Sequence, residues 1–192
     1  MGHLAVRRPD SSLAEPAIWT ATPLSRPGTV ITPAMEPGTF PLQGDKETAL
    51  YTVNTNELEL MEGWFSSEPS AHFRANFALW GGNGAVDLAA VFIDLEPGGL
   101  LGEHRDSPEE LLFVVEGDVE FTVGTDRGNA GPGVIAIVPA MAPHSIRNVG
   151  DKPARILGVF PAPAVEATFA ETVQPLGVEV MQFGEVAAAI AD

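Results

Sequence analysis

Four side chains in two short stretches could together bind a metal ion. The first stretch, residues 98–117, contains His104, Asp106 and Glu110, and the second, residues 133–148, contains His144. Side chains alternate between the two faces of a β-strand, so His104 and Asp106 should point the same way. Glu110 follows a Ser-Pro turn, and a hairpin folded there would bring its carboxylate beside His104. Two imidazoles with one or two carboxylates suit iron, manganese, nickel or zinc.

The amino-acid composition limits the kinds of site and partner. The chain has no cysteine, so a metal must be held by nitrogen and oxygen donors, and a disulfide framework or a thiolate nucleophile is excluded. With 26 acidic and 10 basic residues the formal charge is −16, which repels phosphate backbones and anionic membrane surfaces. We therefore expect a small-molecule substrate as the partner, with no nucleic acid and no membrane.

Length and hydrophobic content favour one globular domain with some additional chain. The 192 residues are 45% hydrophobic, which suffices for a substantial core. No apolar run at the N-terminus is long enough for a signal peptide, and no stretch approaches the length of a membrane span. A cytoplasmic location is the resulting expectation.

The two stretches resemble the two motifs of the cupin family. The first motif, G-x5-H-x-H-x3/4-E-x6-G, is matched with every interval kept by Gly98, His104, Asp106, Glu110 and Gly117. The second motif, G-x5-P-x-G-x2-H-x3-N, is matched by Gly133, Pro139, Met141, His144 and Asn148. Two positions depart from the pattern: Asp106 stands at the family's second histidine, and Met141 stands at a glycine.

The resemblance implies an all-β fold, a small antiparallel, jelly-roll-like cupin barrel with a metal near its centre. It implies His104, Glu110 and His144 as metal ligands, and Asp106 occupies a fourth ligand position. Asp106 has the strand parity of a ligand and hard oxygen donors, but its side chain is shorter than that of histidine. It could therefore bind the metal directly or contact only a metal-bound water. The cofactor expected is one divalent transition metal, iron first, with manganese, nickel or zinc as alternatives.

The pattern along the chain predicts three segments. Residues 1–70 carry eight of the 17 prolines and read as an irregular arm that packs on the barrel. Residues 71–163 contain the alternating and continuously apolar runs that predict the barrel strands. Residues 164–192 are predicted to be a tail with short extended pieces, ending in a short helix from Gly184 or Glu185 to Ala191.

One predicted strand should be covered on both of its faces. Residues 111–115 are continuously apolar, which is typical of a strand with no solvent-facing side. The barrel interior covers one face, and the arm or a second subunit covers the other. We therefore expect a homodimer.

The residues expected to line the pocket are mostly apolar, which favours a hydrophobic or aromatic substrate that carries an oxygen. They are Leu112, Val114, Phe121, Met141 and Ile146. The chain is similar to quercetinase-like cupin dioxygenases, so an Fe(II)-type dioxygenase is the expected activity, with Glu110 and Asp106 as the catalytic carboxylates. Cupin lyases and isomerases use nearly the same ligands, and a non-enzymatic small-molecule-binding cupin is the other alternative.

Overall fold

The computed structural model describes residues 51–184 and the backbone of Val30–Ile31. Over these residues the protein consists of strands and one short 3-10 turn, Gly81–Asn83, without an α-helix. The predicted all-β fold is therefore confirmed. The strands are β1 (Val30–Ile31), β2 (Met61–Phe65), β3 (Glu68–Leu79), β4 (Ala89–Leu95), β5 (Leu100–Asp106), β6 (Glu110–Glu116), β7 (Val119–Val123), β8 (Asp126–Ala130), β9 (Ile135–Val138), β10 (His144–Asn148), β11 (Ala154–Phe160), β12 (Val165–Gln174) and β13 (Val178–Phe183).

All of the strands belong to one sheet that curls around the core. The strand order is β8-β7-β10-β5-β12-β2-β3-β4-β11-β6-β9, and β13 pairs with β12. Neighbouring strands are antiparallel except for β1, which runs parallel to β13. Strands β5 and β6 follow one another in sequence but are not neighbours in the sheet.

Alternation of side chains directs one face of the sheet inward. In β11, Ala154, Ile156, Gly158 and Phe160 are buried, whereas the residues between them are partly exposed. The same pattern fills the interior from β3 to β12 with branched aliphatic and phenylalanine side chains. Full burial of each large apolar side chain is worth about 1.5–3 kcal/mol, so this interior is the main source of stability.

The sheet extends beyond the barrel limits of 71 and 163 that the sequence predicted. On the N-terminal side, β2 pairs with β3 from within the predicted arm. On the C-terminal side, β12 pairs with β5 and with β2, so the predicted tail is an integral part of the sheet. The reason is that Val165, Ala167 and Phe169 alternate toward the core and need the neighbouring strands to bury them.

Two sequence predictions fall outside the part of the chain that the structure describes. The predicted helix up to Ala191 lies in residues 185–192, and most of the predicted arm lies before residue 51. Within the described residues, no helix is long and apolar enough to cross a membrane.

Candidate metal centre

Two adjacent strands bring three of the four predicted site residues together. His104 and Asp106 lie near the end of β5, and both side chains are buried. His144 is the first residue of β10 and lies directly opposite His104 in the β5–β10 ladder. The two imidazole rings are therefore close, with centroids 4.0 Å apart.

Glu110 reaches the site by a different route from the one the sequence suggested. It opens β6, which pairs with β9 and β11, so the hairpin predicted between β5 and β6 is wrong. The chain instead crosses at residues 107–109 to the opposite side of the curled sheet. Glu110 points inward and is buried, while the neighbouring Glu109 is exposed.

Both histidines are held with the same nitrogen facing the site. His104 Nδ1 donates to the Gly102 carbonyl at 2.8 Å, and His144 Nδ1 donates to the Ala142 carbonyl at 3.0 Å. Since a carbonyl can only accept, these contacts place the proton on Nδ1 and direct Nε2 to the centre. A hydrogen bond from the second ring nitrogen is the usual way in which a metal-binding histidine is oriented.

The inward atoms converge on one point. His144 Nε2 lies 3.3 Å from Asp106 Oδ2 and 3.3 Å from Glu110 Oε2, and His104 Nε2 lies 3.6 Å from Asp106 Oδ2. Ligand atoms of His104, Asp106 and His144 all lie within 4.8 Å of one another, and Glu110 joins them through His144. Asp106 and His144 each approach two other members of the cluster and so lie between His104 and Glu110.

Three of these atoms are buried without a hydrogen-bond partner. They are Asp106 Oδ2, Glu110 Oε2 and His144 Nε2. An unpaired buried polar atom typically destabilises a protein by about 1–3 kcal/mol, and more when it is charged. A divalent cation would satisfy all three atoms, so the residues present fit a metal.

Burial and mutual charge also change the ionisation of the site. Burial lowers the pKa of His104 to about 4, although Asp106 acts in the opposite direction. Burial raises the pKa of Glu110 to about 7 against the influence of His144. Burial also opposes protonation of His144, but Asp106 and Glu110 outweigh it and raise the pKa of His144 to about 10. In the metal-free protein a proton on His144 therefore partly balances the two carboxylates.

The cavity beside the site is not lined by the five residues predicted for it. Leu112, Val114, Phe121 and Ile146 are packed in the core, and Met141 is 53% exposed. Strand parity correctly placed the first four inside, but that part of the interior is filled. The cavity lies instead along strands β2, β3, β12 and β13.

His104, Asp106 and Glu110 line this cavity, together with five phenylalanines. Strand β3 lies within residues 71–163, where barrel strands were predicted, except for its first residues, but β12 and β13 have no motif that links them to the site. Their contribution, Phe169 and Phe183 included, was therefore missed. The phenylalanines are Phe73, Phe77, Phe160, Phe169 and Phe183.

Comparison with known proteins supports the resemblance. Residues 91–160 match the model of the cupin domain family called Cupin_2. A sugar phosphate isomerase of the cupin superfamily from Silicibacter pomeroyi is similar in structure, with a TM-score of 0.51 and 21% identity over 62% of this chain and 82% of that one. A search of curated proteins found no match.

Two oxalate decarboxylases are also similar, at lower TM-scores. That of Lactobacillus farciminis has a TM-score of 0.48 and 24% identity, and covers 56% of this chain and 32% of its own. That of Bacillus subtilis has a TM-score of 0.43 and 21% identity, and covers 48% of this chain and 25% of its own. The chain therefore spans a third or less of these decarboxylases, and identities at this level concern the fold alone. Residues 91–160, which contain all four site residues, are thus the part of the chain that matches the cupin domain family.

Proposed function

We propose that the protein is a divalent-metal-dependent enzyme, a dioxygenase of the Fe(II) type, that acts on a small hydrophobic or aromatic substrate bearing an oxygen. The observation that carries this proposal is the buried cluster of two imidazoles and two carboxylates, with three unpaired atoms, at the wall of an apolar cavity. Such a cluster is poorly explained as a stabilising feature, since a proton on His144 balances the two buried carboxylates only in part.

His104, His144, Asp106 and Glu110 would hold the metal. Their nitrogen and oxygen donors suit Fe(II) or Mn(II), and the two carboxylates balance the charge of a divalent ion. A bound ion would supply Lewis acidity and open positions for dioxygen and for a substrate oxygen.

The chain's own residues would orient the substrate and handle its proton. Glu110 and Asp106 both line the cavity, beside the position that the metal would occupy. Either carboxylate is therefore placed to accept a proton from a substrate hydroxyl. The aromatic wall excludes water from the reacting group, which strengthens each electrostatic contact there.

Metal analysis tests the site. Protein purified without a metal-binding tag should contain about one divalent ion per chain, and His144→Ala should lose it. His72→Ala is the matched control, because His72 lies on the exposed face of β3 and binds Glu62. Equal metal content in the parent and His144→Ala would refute the site.

Oxygen consumption tests the reaction class. Iron-loaded protein supplied with small aromatics and keto acids should consume dioxygen, and the metal-free protein should not. Metal binding without oxygen uptake across the panel would reject the dioxygenase and leave the binding protein, lyase and isomerase alternatives.

A further inference from the structure

The cavity shows more about the ligand than its hydrophobic character. Two thirds of the residues that line it lie outside the cupin domain at 91–160. The metal-binding residues therefore come from the domain, whereas most of the wall is supplied by β2, β3, β12 and β13. Strands on either side of the domain set the shape and polarity of the space that a substrate occupies.

Only two polar side chains line the cavity away from the metal centre. Apart from His104, Asp106 and Glu110, the only polar side chains lining the cavity belong to Asn76 and Glu62. Both are engaged elsewhere: Asn76 accepts from the Phe77 amide at 2.8 Å and donates to the Glu59 carbonyl at 2.7 Å. The Glu62 carboxylate binds His72 Nδ1 at 2.8 Å.

Aromatic rings make up much of the remaining wall. Phe169 stacks on His104 with centroids 5.1 Å apart, so the aromatic surface begins at the metal centre itself. Phe77 and Phe183 lie 4.2 Å apart at another part of the wall. A polar group on the ligand that faced these rings would lose its water without gaining a partner.

We infer that the cavity binds single-headed ligands: molecules with one oxygen-bearing head, such as a carboxylate, enolate or phenolate, and an otherwise apolar body. The head lies at the metal centre, and the body lies against the wall formed by the flanking strands. Sugar phosphates, polyols and dicarboxylates are excluded, because each would bury a second polar group among phenylalanines. This inference rests on the proposed metal centre for the position of the head.

A matched pair of ligands tests the inference. Octanoate and suberate have the same chain length, but suberate carries a second carboxylate at its far end. With protein loaded with Zn(II), which has no redox chemistry, calorimetry should show octanoate binding at least tenfold more tightly than suberate. The affinity for 3-phenylpropionate, compared with that for octanoate, shows whether an aromatic ring or an aliphatic chain packs better against the wall. Equal affinity for suberate, or no binding of either single-headed ligand to metal-loaded protein, would overturn the inference.

A substitution in the cavity wall tests whether the apolar wall causes the preference for octanoate over suberate. Leu176, in the turn after β12, lines the cavity and is only partly buried. In β12, Phe169 pairs with His104 at the metal centre, and Val173 pairs with Phe65 further along the strand. Leu176 follows Val173 and therefore lies at the end of β12 away from the metal centre. Leu176→Lys should narrow the preference for octanoate over suberate at unchanged zinc content, since it offers a partner to the second carboxylate. Leu88→Lys, at an exposed leucine outside the cavity, should leave the preference unchanged.

Neutral ligands separate this inference from the proposed function. Octan-1-ol and octane-1,8-diol probe the wall in metal-free protein, where the diol should bind more weakly. If the protein binds no metal but prefers octan-1-ol to octane-1,8-diol, the proposed function is wrong and the inference about the apolar wall is supported. If the protein binds metal but binds the diol as tightly as the alcohol, the inference is wrong and the proposed metal centre is supported.

Discussion

Asp106 stands where the cupin motif has a histidine, and its carboxylate lies close to both imidazoles. Its Oδ2 is 3.3 Å from His144 Nε2 and 3.6 Å from His104 Nε2, with no hydrogen-bond donor of its own. A carboxylate that only supports a metal ligand would be expected to accept a hydrogen bond from that ligand or from the backbone. We therefore expect Asp106 to bind the metal directly rather than through a water.

Asp106→Ala should weaken metal binding by about tenfold or more, because it removes both a donor and a balancing charge. Competition titration with a chromophoric chelator measures the change. Glu103→Ala is the matched control, since Glu103 lies on the same strand but faces solvent. If Asp106→Ala binds metal as the parent does while losing turnover, Asp106 contacts a metal-bound water instead.

The absence of a side chain at Gly158 leaves room for the Glu110 carboxylate. On β11 an added Cβ would overlap Glu110 Oε1 and approach Val91 Cγ1 to 2.7 Å. Gly158→Ala should therefore displace Glu110 from His144 and lower metal affinity by about tenfold, as well as destabilising the core by about 1–3 kcal/mol. Chelator competition and urea unfolding measure the two effects separately.

A second glycine supplies the control for Gly158. At Gly63 an added Cβ would meet the Phe73 ring at 2.5 Å, so Gly63→Ala should lower stability and keep metal affinity. Glu110→Asp shortens the side chain that the new Cβ would displace. The loss of metal affinity in the double variant Gly158→Ala, Glu110→Asp should therefore be smaller than the sum of the losses in the two single variants. Parent affinity in Gly158→Ala would mean that the glycine serves packing alone.

Metal binding should release protons, and the number should depend on pH. At about pH 8 the metal displaces about one proton, from His144, because its pKa of about 10 lies above the working pH. At about pH 6, Glu110 with its pKa of about 7 adds most of a second proton, while His104 with its pKa of about 4 adds none. Metal affinity therefore rises with pH. Calorimetry in buffers of different ionisation enthalpy counts the protons, and a count independent of pH would contradict these ionisation states.

At the scale of elements, the turn before β10 connects the second motif to the first. The Met141 amide donates to the Asp106 carbonyl at 2.9 Å, and the Met141 carbonyl accepts from Arg105 Nη1 at 2.8 Å. Met141 has a φ of 61°, a left-handed conformation that explains the glycine of the family motif. The turn keeps its shape here despite the side chain, which points to solvent rather than into the pocket.

Met141→Gly should stabilise the protein by about 0.5–1 kcal/mol. Relief of left-handed strain is worth about 1–2 kcal/mol, and the extra chain freedom of glycine offsets about 0.5–1 kcal/mol of it. Ala140→Gly, at an exposed neighbour without positive φ, should instead be destabilising. Urea unfolding compares the two variants, and a stability loss in Met141→Gly would show that the methionine makes a stabilising contact.

The elements that the sequence predicted are those with a motif or a strict alternation. The spacing of Gly98, His104 and Glu110 placed the site residues, and the parity of β5 and β6 gave their inward faces. The route between β5 and β6 could not be predicted, because a Ser-Pro turn fits a hairpin and a crossing between opposite sides of a sheet equally well. The pocket-lining residues were predicted wrongly for a related reason. Strand β12 pairs with β5 and β2, which are distant in the sequence, and such long-range pairing leaves no local signal.

At the scale of the whole molecule, an apolar surface covers the outside of four neighbouring strands. Register places Ile135, Phe113, Leu157 and Phe92 side by side across β9, β6, β11 and β4. A second row contains Ile137, Leu111 and Val159. Ile135 and Ile137 are 59% and 53% exposed, at the end of the sheet order where β9 pairs only with β6 among the described strands. A contiguous exposed apolar patch of this kind is typical of an interaction site.

We expect this apolar surface to pair with its counterpart in a second copy of the chain. A two-fold interface buries the same patch on both subunits, so both rows would be covered at once, and the high negative charge elsewhere would restrict association to this face. Light scattering at micromolar concentration should give twice the chain mass of 20.2 kDa. Ile137→Lys should yield a monomer, because it would bring a charged group into the apolar surface of each subunit. Val86→Lys, at a 77% exposed valine in the loop before β4, should remain dimeric. A monomer mass for the parent protein would show that this surface does not mediate self-association.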